Sequence, residues 1–332
     1  MKQFKQGRSM ILAAATGMLA AAYPAAGALA QDAPWPNRTV RIVVPFAPGG
    51  SADVAARFLA PRLSAKLGQQ VVVENRPGAG GTLAVGQVAK GPSDGHTVLL
   101  AAAGALTISP HLMKGLPYDP MKDLAPISGF ARIPLVLIAN ASVPAGTPAD
   151  LIKLIKSQPG RFSYATTGNG SAMHLAGESF KALTETFIVH IPYRGSAPAV
   201  AAVMGGEVEF GIVDLTSVVG RADSGRFRTV ALMGKDRSSL APAVPTLAEA
   251  GVKEMDVSGW FGLFGPPSMP AAVVRRLNAE VTAQLQMDDL KDRFKAVGIE
   301  SMPTTPEALA AFMKREHTGF GEVIRRADIR TE

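Results

Sequence analysis

Pro45-Phe46-Ala47-Pro48-Gly49-Gly50-Ser51-Ala52-Asp53 lies between an apolar run, Val40 to Val44, and a segment able to form a helix, Val54 to Leu67. Strand, glycine-bearing turn and helix is the order in which a chain aims free backbone N–H groups and a positive helix end at an anion. No Lys follows Gly50 as in a P-loop, and the glycines are not spaced as G-x-G-x-x-G. The loop therefore suits a small anion such as a carboxylate better than a nucleotide. A tight strand-to-helix turn without a ligand explains the same residues, and the loop alone does not separate these readings.

The N-terminus carries an export signature. Lys2, Lys5 and Arg8 form a basic region, Met10 to Ala22 is apolar, and Ala28-Leu29-Ala30 fits a small-x-small cleavage site, with Gln31 expected as the first mature residue. The chain has no Cys, which excludes disulfides, lipid attachment at a cleavage-site Cys and Cys-based metal sites. That combination predicts a soluble periplasmic protein with the signal peptide, residues 1–30, removed. The formal charge of +7 includes three basic and no acidic residues of that signal, so the mature chain carries only about +4. Lys and Arg are scattered without interleaved aromatics, which argues against nucleic-acid binding.

About 300 residues remain, enough for two cores. Short β-branched runs alternate with helical patterns, which predicts α/β layers with largely parallel sheets. The expected helix from Val54 to Leu67 places Val54, Phe58, Leu59, Leu63 and Leu67 on one face, with a kink or split at Pro61. A second Gly-rich turn, Thr167-Gly168-Asn169-Gly170-Ser171, again stands between a strand (Phe162–Thr166) and a helix (Ala172–Leu183), with Ser171 as its N-cap. Gly129–Leu137 and Val257–Phe264 are apolar enough to carry the chain between lobes. An inserted arrangement follows, with lobe one at 31–130 plus 261–332 and lobe two at 131–260.

Among the candidate chemical groups, His174 and Glu178 share a helix face at i,i+4, but two ligands do not make a metal site. No G-x-S-x-G elbow is present. Asp53 sits where a first-turn carboxylate orders its own loop, although an acid–base role for Asp53, His174 and Asp214 stays open at this point. Asp214 closes the strand Val208–Val213 at its C-terminal end, where ligands of open α/β sheets sit; it suits a polar or amino-bearing ligand, or caps the following helix. Arg194 is either a carboxylate clamp or a solvated loop cation.

Several segments together resemble the periplasmic receptors of tripartite tricarboxylate transporters, the Bug proteins. They are Arg41 to Asp53, Val73-Glu74-Asn75-Arg76-Pro77-Gly78-Ala79-Gly80-Gly81, Asp94-Gly95-His96-Thr97-Val98-Leu99-Leu100, Gly168 to Leu175, His190-Ile191-Pro192-Tyr193-Arg194-Gly195, Val244 to Gly251 and Trp260 to Pro267, in the order the family uses. The resemblance implies an α/β, two-lobed type II periplasmic-binding-protein fold with the ligand in a cleft between lobes. It implies a monomeric, non-enzymatic receptor without cofactor, holding a small carboxylate and serving integral membrane transporter subunits; a sensor for a signalling partner, or a periplasmic hydrolase or isomerase using Asp53, His174 and Asp214, is the alternative. By position, Phe46, Ala47, Gly49, Gly50 and Asp53 would line one side of the cleft. Thr166, Thr167, Gly168, Gly170, Ser171 and His174 would line the other, with Asp214 further in. Ala102 belongs to the third contributing stretch, Ala101–Thr107, where relatives carry more Ser and Thr. That departure favours a less polar monocarboxylate or an aromatic acid over citrate. Gly50 and Gly170 are both expected to reject β-branched residues, because each brings backbone close to the ligand.

Overall fold

Val40–Val44 forms β1, and its alternation sets the layers: Val40, Ile42 and Val44 face one core and Val43 faces another. The computed structural model describes residues 35–326 and residue 329; the expected signal peptide lies outside the described residues. After β1 come α1 (Ser51–Leu67), β2 (Val71–Asn75), α2 (Thr82–Ala89), β3 (Thr97–Ala102), α3 (Ser109–Leu112) and β4 (Ala125–Ile133). A second set follows: β5 (Leu135–Asn140), α4 (Pro148–Ser157), β6 (Ser163–Thr166), α5 (Ala172–Thr184), β7 (Val189–Pro192), α6 (Ser196–Gly205), β8 (Phe210–Asp214), α7 (Thr216–Val219) and β9 (Phe227–Leu232). The chain ends with β10 (Gly259–Gly265), α8 (Ala271–Leu285), α9 (Asp288–Ala296), β11 (Glu300–Ser301) and α10 (Pro306–Arg326).

Two sheets result, with strand orders β11-β4-β10-β3-β1-β2 and β7-β6-β8-β5-β9. They are mixed, which corrects the expectation of largely parallel sheets. β1 pairs in parallel with β2 and β3, and β6 with β7 and β8, but β10 runs antiparallel to β3 and β4, and β5 antiparallel to β8 and β9. The antiparallel strands are those beside the passages between sheets. β4 ends at Ile133 in the first sheet, β5 starts at Leu135 in the second, and the chain returns at Gly259. A strand that crosses directly, without an intervening helix, enters its new sheet in a direction that no βαβ unit imposes.

Pro61 does not split α1, which runs unbroken from Ser51 to Leu67 and stops at Gly68 in the left-handed region (φ 69°). The helix survives the missing N–H because Ala55, Ala56, Leu59, Leu63 and Leu67 are buried against the sheet. Burial of each Leu contributes about 1.5–3 kcal/mol, comparable with the cost of one interior proline. Phe58 and Val54 pack at the edge of that core.

α10 ties the two halves together. Leu309 and Met313 pack with Trp260 and Phe264 under the first sheet, whereas Ile324 packs with Leu175, Phe180 and Met255 under the second. Trp260 Nε1 also donates to Glu316 on this helix at 3.2 Å, and Arg326 pairs with Glu254 at 2.8 Å. No described helix is long and apolar enough to cross a membrane.

Candidate functional site

The turn after β1 is held from within. Asp53, buried in the first turn of α1, accepts the Gly49 N–H on Oδ2 (3.0 Å), and Arg57 Nε (2.9 Å) and Asn75 Nδ2 (3.0 Å) on Oδ1. Asn75 Nδ2 also donates to Phe46 O at 3.0 Å. Burial alone would raise the Asp53 pKa, but the Arg57, Gly49 and Asn75 donors outweigh it and hold the carboxyl below its ordinary range. Asp53 thus fixes the path of the turn and is spent on its own loop. Asp53→Ala is expected to cost about 1.5 kcal/mol, read as a lower urea midpoint at neutral pH, because it strands the Gly49 N–H and part of Arg57.

With Asp53 turned inward, the end of α1 stays open. Its N-cap, Gly50, offers no side-chain acceptor, so the first-turn N–H groups have no partner within the helix. Gly50 itself has ordinary angles (φ −85°, ψ 173°), and a Cβ there would meet nothing within 4 Å. Neither its angles nor its protein neighbours therefore require glycine at Gly50, and any such requirement comes from a ligand held beside it. Gly170 does require glycine, with φ 72° and Ser109 in the place of a Cβ.

The facing turn is braced by two histidines. Ser171 caps α5 by accepting His174 N–H at 3.1 Å, while His174 Nδ1 accepts Gly170 N–H at 3.2 Å. Gly168 N–H donates to Thr166 Oγ1 at 3.2 Å, and that hydroxyl lies 2.6 Å from His190 Nε2. The His174 and His190 rings stack with centroids 4.3 Å apart. Burial lowers the His174 pKa against the pull of Glu178; burial, with His174 and Lys181, pushes His190 down to about 3. His174 Nε2 stands 3.9 Å from Glu178, which is engaged by Lys181 (2.8 Å) and Tyr164 OH (2.7 Å). Among the described residues, no group of three or more His, Asp or Glu side chains could hold a metal ion.

The two turns meet around a cavity of about 30 Å³, room for roughly two waters. Of the sequence-derived residues, Phe46, Gly50, Ala102, Thr167, Ser171 and Asp214 line it. Asp53, Gly170 and His174 stand behind as the braces just described, with Gly49 and Thr166 bonded to them or beside them. Gly168 lines an outer groove with Asn169 and Arg194, and Ala47 N–H donates to Arg194 O at 3.0 Å, joining the two halves at that rim. The Arg194 side chain is exposed there. Ala101–Thr107 is no open loop: β3 continues to Ala102 and a helical turn spans Gly104–Ile108, in which Thr107 spends its hydroxyl on Ala103 O at 2.8 Å.

Sequence reasoning missed part of the wall. Ile133, Trp260 and Phe261 come from the crossing strands, and Ser196 from the start of α6. Three helices therefore present their first turns to one cavity, through Ser51 and Ala52, Ala172 and Met173, and Ser196. Asp214 is the one charged residue among the lining residues. Its Oδ1 accepts the N–H (2.9 Å) and hydroxyl (2.8 Å) of Ser217. A Gly-Ser pair directly before an apolar run, as at Gly195-Ser196, was the available signal for the third helix start.

The profile of the tripartite tricarboxylate transporter family receptor matches residues 55–329. Protein BugT of Bordetella pertussis is 38% identical over 292 residues, which cover 88% of this chain and 90% of BugT. The solved periplasmic binding protein BugD superposes with a TM-score of 0.86 at 33% identity, covering 90% of this chain and all of BugD's. The R. palustris protein Rpa4515, solved with adipate, gives the same score and identity over 89% of this chain and 99% of its own.

Proposed function

Because the chain belongs to the tripartite tricarboxylate transporter receptor family, whose members are periplasmic solute-binding proteins, we propose that it takes a small carboxylate into the cavity between its sheets and hands it to integral membrane transporter subunits. The observation that carries this reading is the meeting of three helix N-termini at one cavity whose lining residues include no Lys or Arg. N–H donors and helix dipoles together favour a negative group there, and they do so without a buried cation to desolvate. Adipate in the solved relative supports a carboxylate as the ligand class.

The body of the ligand is apolar, an aliphatic or aromatic mono- or dicarboxylate. Phe46, Ala102, Met173, Trp260 and Phe261 supply the wall, and the only hydroxyl of Ala101–Thr107 is already bonded internally. The protein acts as a monomer, exported with cleavage after Ala30, and catalyses no reaction. With its halves in contact the cavity is too small for such an acid, so binding includes their separation and closure. A thermal-shift screen of aliphatic and aromatic carboxylates, adipate included, tests this. At ligand a hundredfold above Kd the stabilisation is about 2.7 kcal/mol. A screen in which no carboxylate raises the melting temperature overturns it.

A further inference from the structure

We infer that the ligand carries a hydroxyl beside its carboxylate, received by Ser196 and Asp214; the inference rests on the carboxylate reading of the site. Ser196 is 3% exposed, lines the cavity, and its Oγ has no hydrogen-bond partner among the described residues. It has no capping duty to explain it, because the N-cap of α6 is Gly195. A buried hydroxyl without a partner costs stability unless something that enters the cavity completes it.

Asp214, 2% exposed and lining the same cavity, supplies the complementary half. Oδ1 is taken twice by Ser217, whereas Oδ2 receives no hydrogen bond from the described residues. A carboxylate oxygen only accepts, so it needs a donor and repels a second carboxylate. The helix N-termini offer donors alone. A ligand hydroxyl answers both vacancies: its hydrogen goes to Asp214 Oδ2 and its oxygen accepts from Ser196 Oγ. Because Ser196 and Asp214 line the same cavity as the three helix starts, the hydroxyl is placed beside the carboxylate it accompanies. The class that fits is an α-hydroxy acid.

Calorimetry with three pairs that differ by one α-hydroxyl tests this: lactate and propionate, malate and succinate, mandelate and phenylacetate. In whichever pair binds, the hydroxy acid is expected to bind at least tenfold tighter than its deoxy partner. Ser196→Ala should reduce its affinity about tenfold, reduce the deoxy partner's affinity far less, and not lower the melting temperature of the free protein. Asp214→Asn should shrink the preference within the pair. A deoxy acid bound as tightly as its partner, or Ser196→Ala binding the hydroxy acid like the parent, overturns the inference while the carboxylate reading stands. Failure of all six acids to bind, alongside an adipate that does, also overturns it. Failure of every carboxylate overturns both.

Discussion

Replacing Gly104 by alanine is expected to weaken ligand binding about 30-fold while the free protein keeps its fold. Gly104 begins the helical turn after β3, where the first half of the molecule meets the start of α5. A Cβ added there would stand 2.8 Å from Ser171 Cα, 2.9 Å from Gly170 O and 3.3 Å from Ala172 N. All three are backbone atoms of the facing turn, so no side chain can rotate away. Carbon contacts relax near 3.5–4.0 Å, so the two walls must part by several tenths of an ångström or more. The angles at Gly104 are not left-handed, so the substitution acts by volume and not by backbone strain. Overpacking of this kind costs about 2 kcal/mol, and if it falls on the state in which the walls touch, affinity drops by about 30-fold. Calorimetry of a bound carboxylate gives the affinity, and the melting temperature of the free protein separates a wedge from a folding defect. An unchanged affinity would show that the walls need not meet at Gly104 when ligand is held.

This contact marks the limit of what sequence makes legible. Local chemistry announces itself: the N-cap at Ser171, the glycine turn before α1 and the first-turn position of Asp53 all follow from neighbours within four residues. Register between distant strands does not. That β10 enters antiparallel to β3 and β4 depends on where the chain returns from the second sheet, and Trp260 and Phe261 reach the cavity wall only as a consequence. β4 reads in part as a passage, because Gly129–Ile133, Arg132 apart, is apolar whether it pairs or merely crosses. α9 is hard to see in the sequence for the opposite reason. Leu290 and Phe294 are its only buried positions among seven others, most of them charged, so its periodic signal is thin. Ser196 is obscured by its neighbour, since Arg194 is the obvious chemical group of that turn although its side chain faces solvent.

Acidification from pH 7.5 to 4.5 is expected to cost about 2 kcal/mol of stability through His190. In the unfolded chain His190 takes up a proton near 6.5; in the folded protein burial, His174 and Lys181 push that down to about 3. Between those values the unfolded state binds the extra proton. Stability is therefore full above pH 6.5 and is lost as pH falls through the window toward 3. The magnitude already allows for the solvent that reaches this half-buried ring. His174, lowered chiefly by burial, acts in the same direction, and the stacked rings resist carrying two charges. Asp53 does not confuse the reading at pH 4.5. Its folded pKa lies below the ordinary 3.8, so its contribution is present above that value and is lost only at lower pH. Urea midpoints at the two pH values for the parent and His190→Gln provide the check. The fall should shrink by about 2 kcal/mol in the variant; an equal fall in both would place the acid sensitivity elsewhere in the molecule.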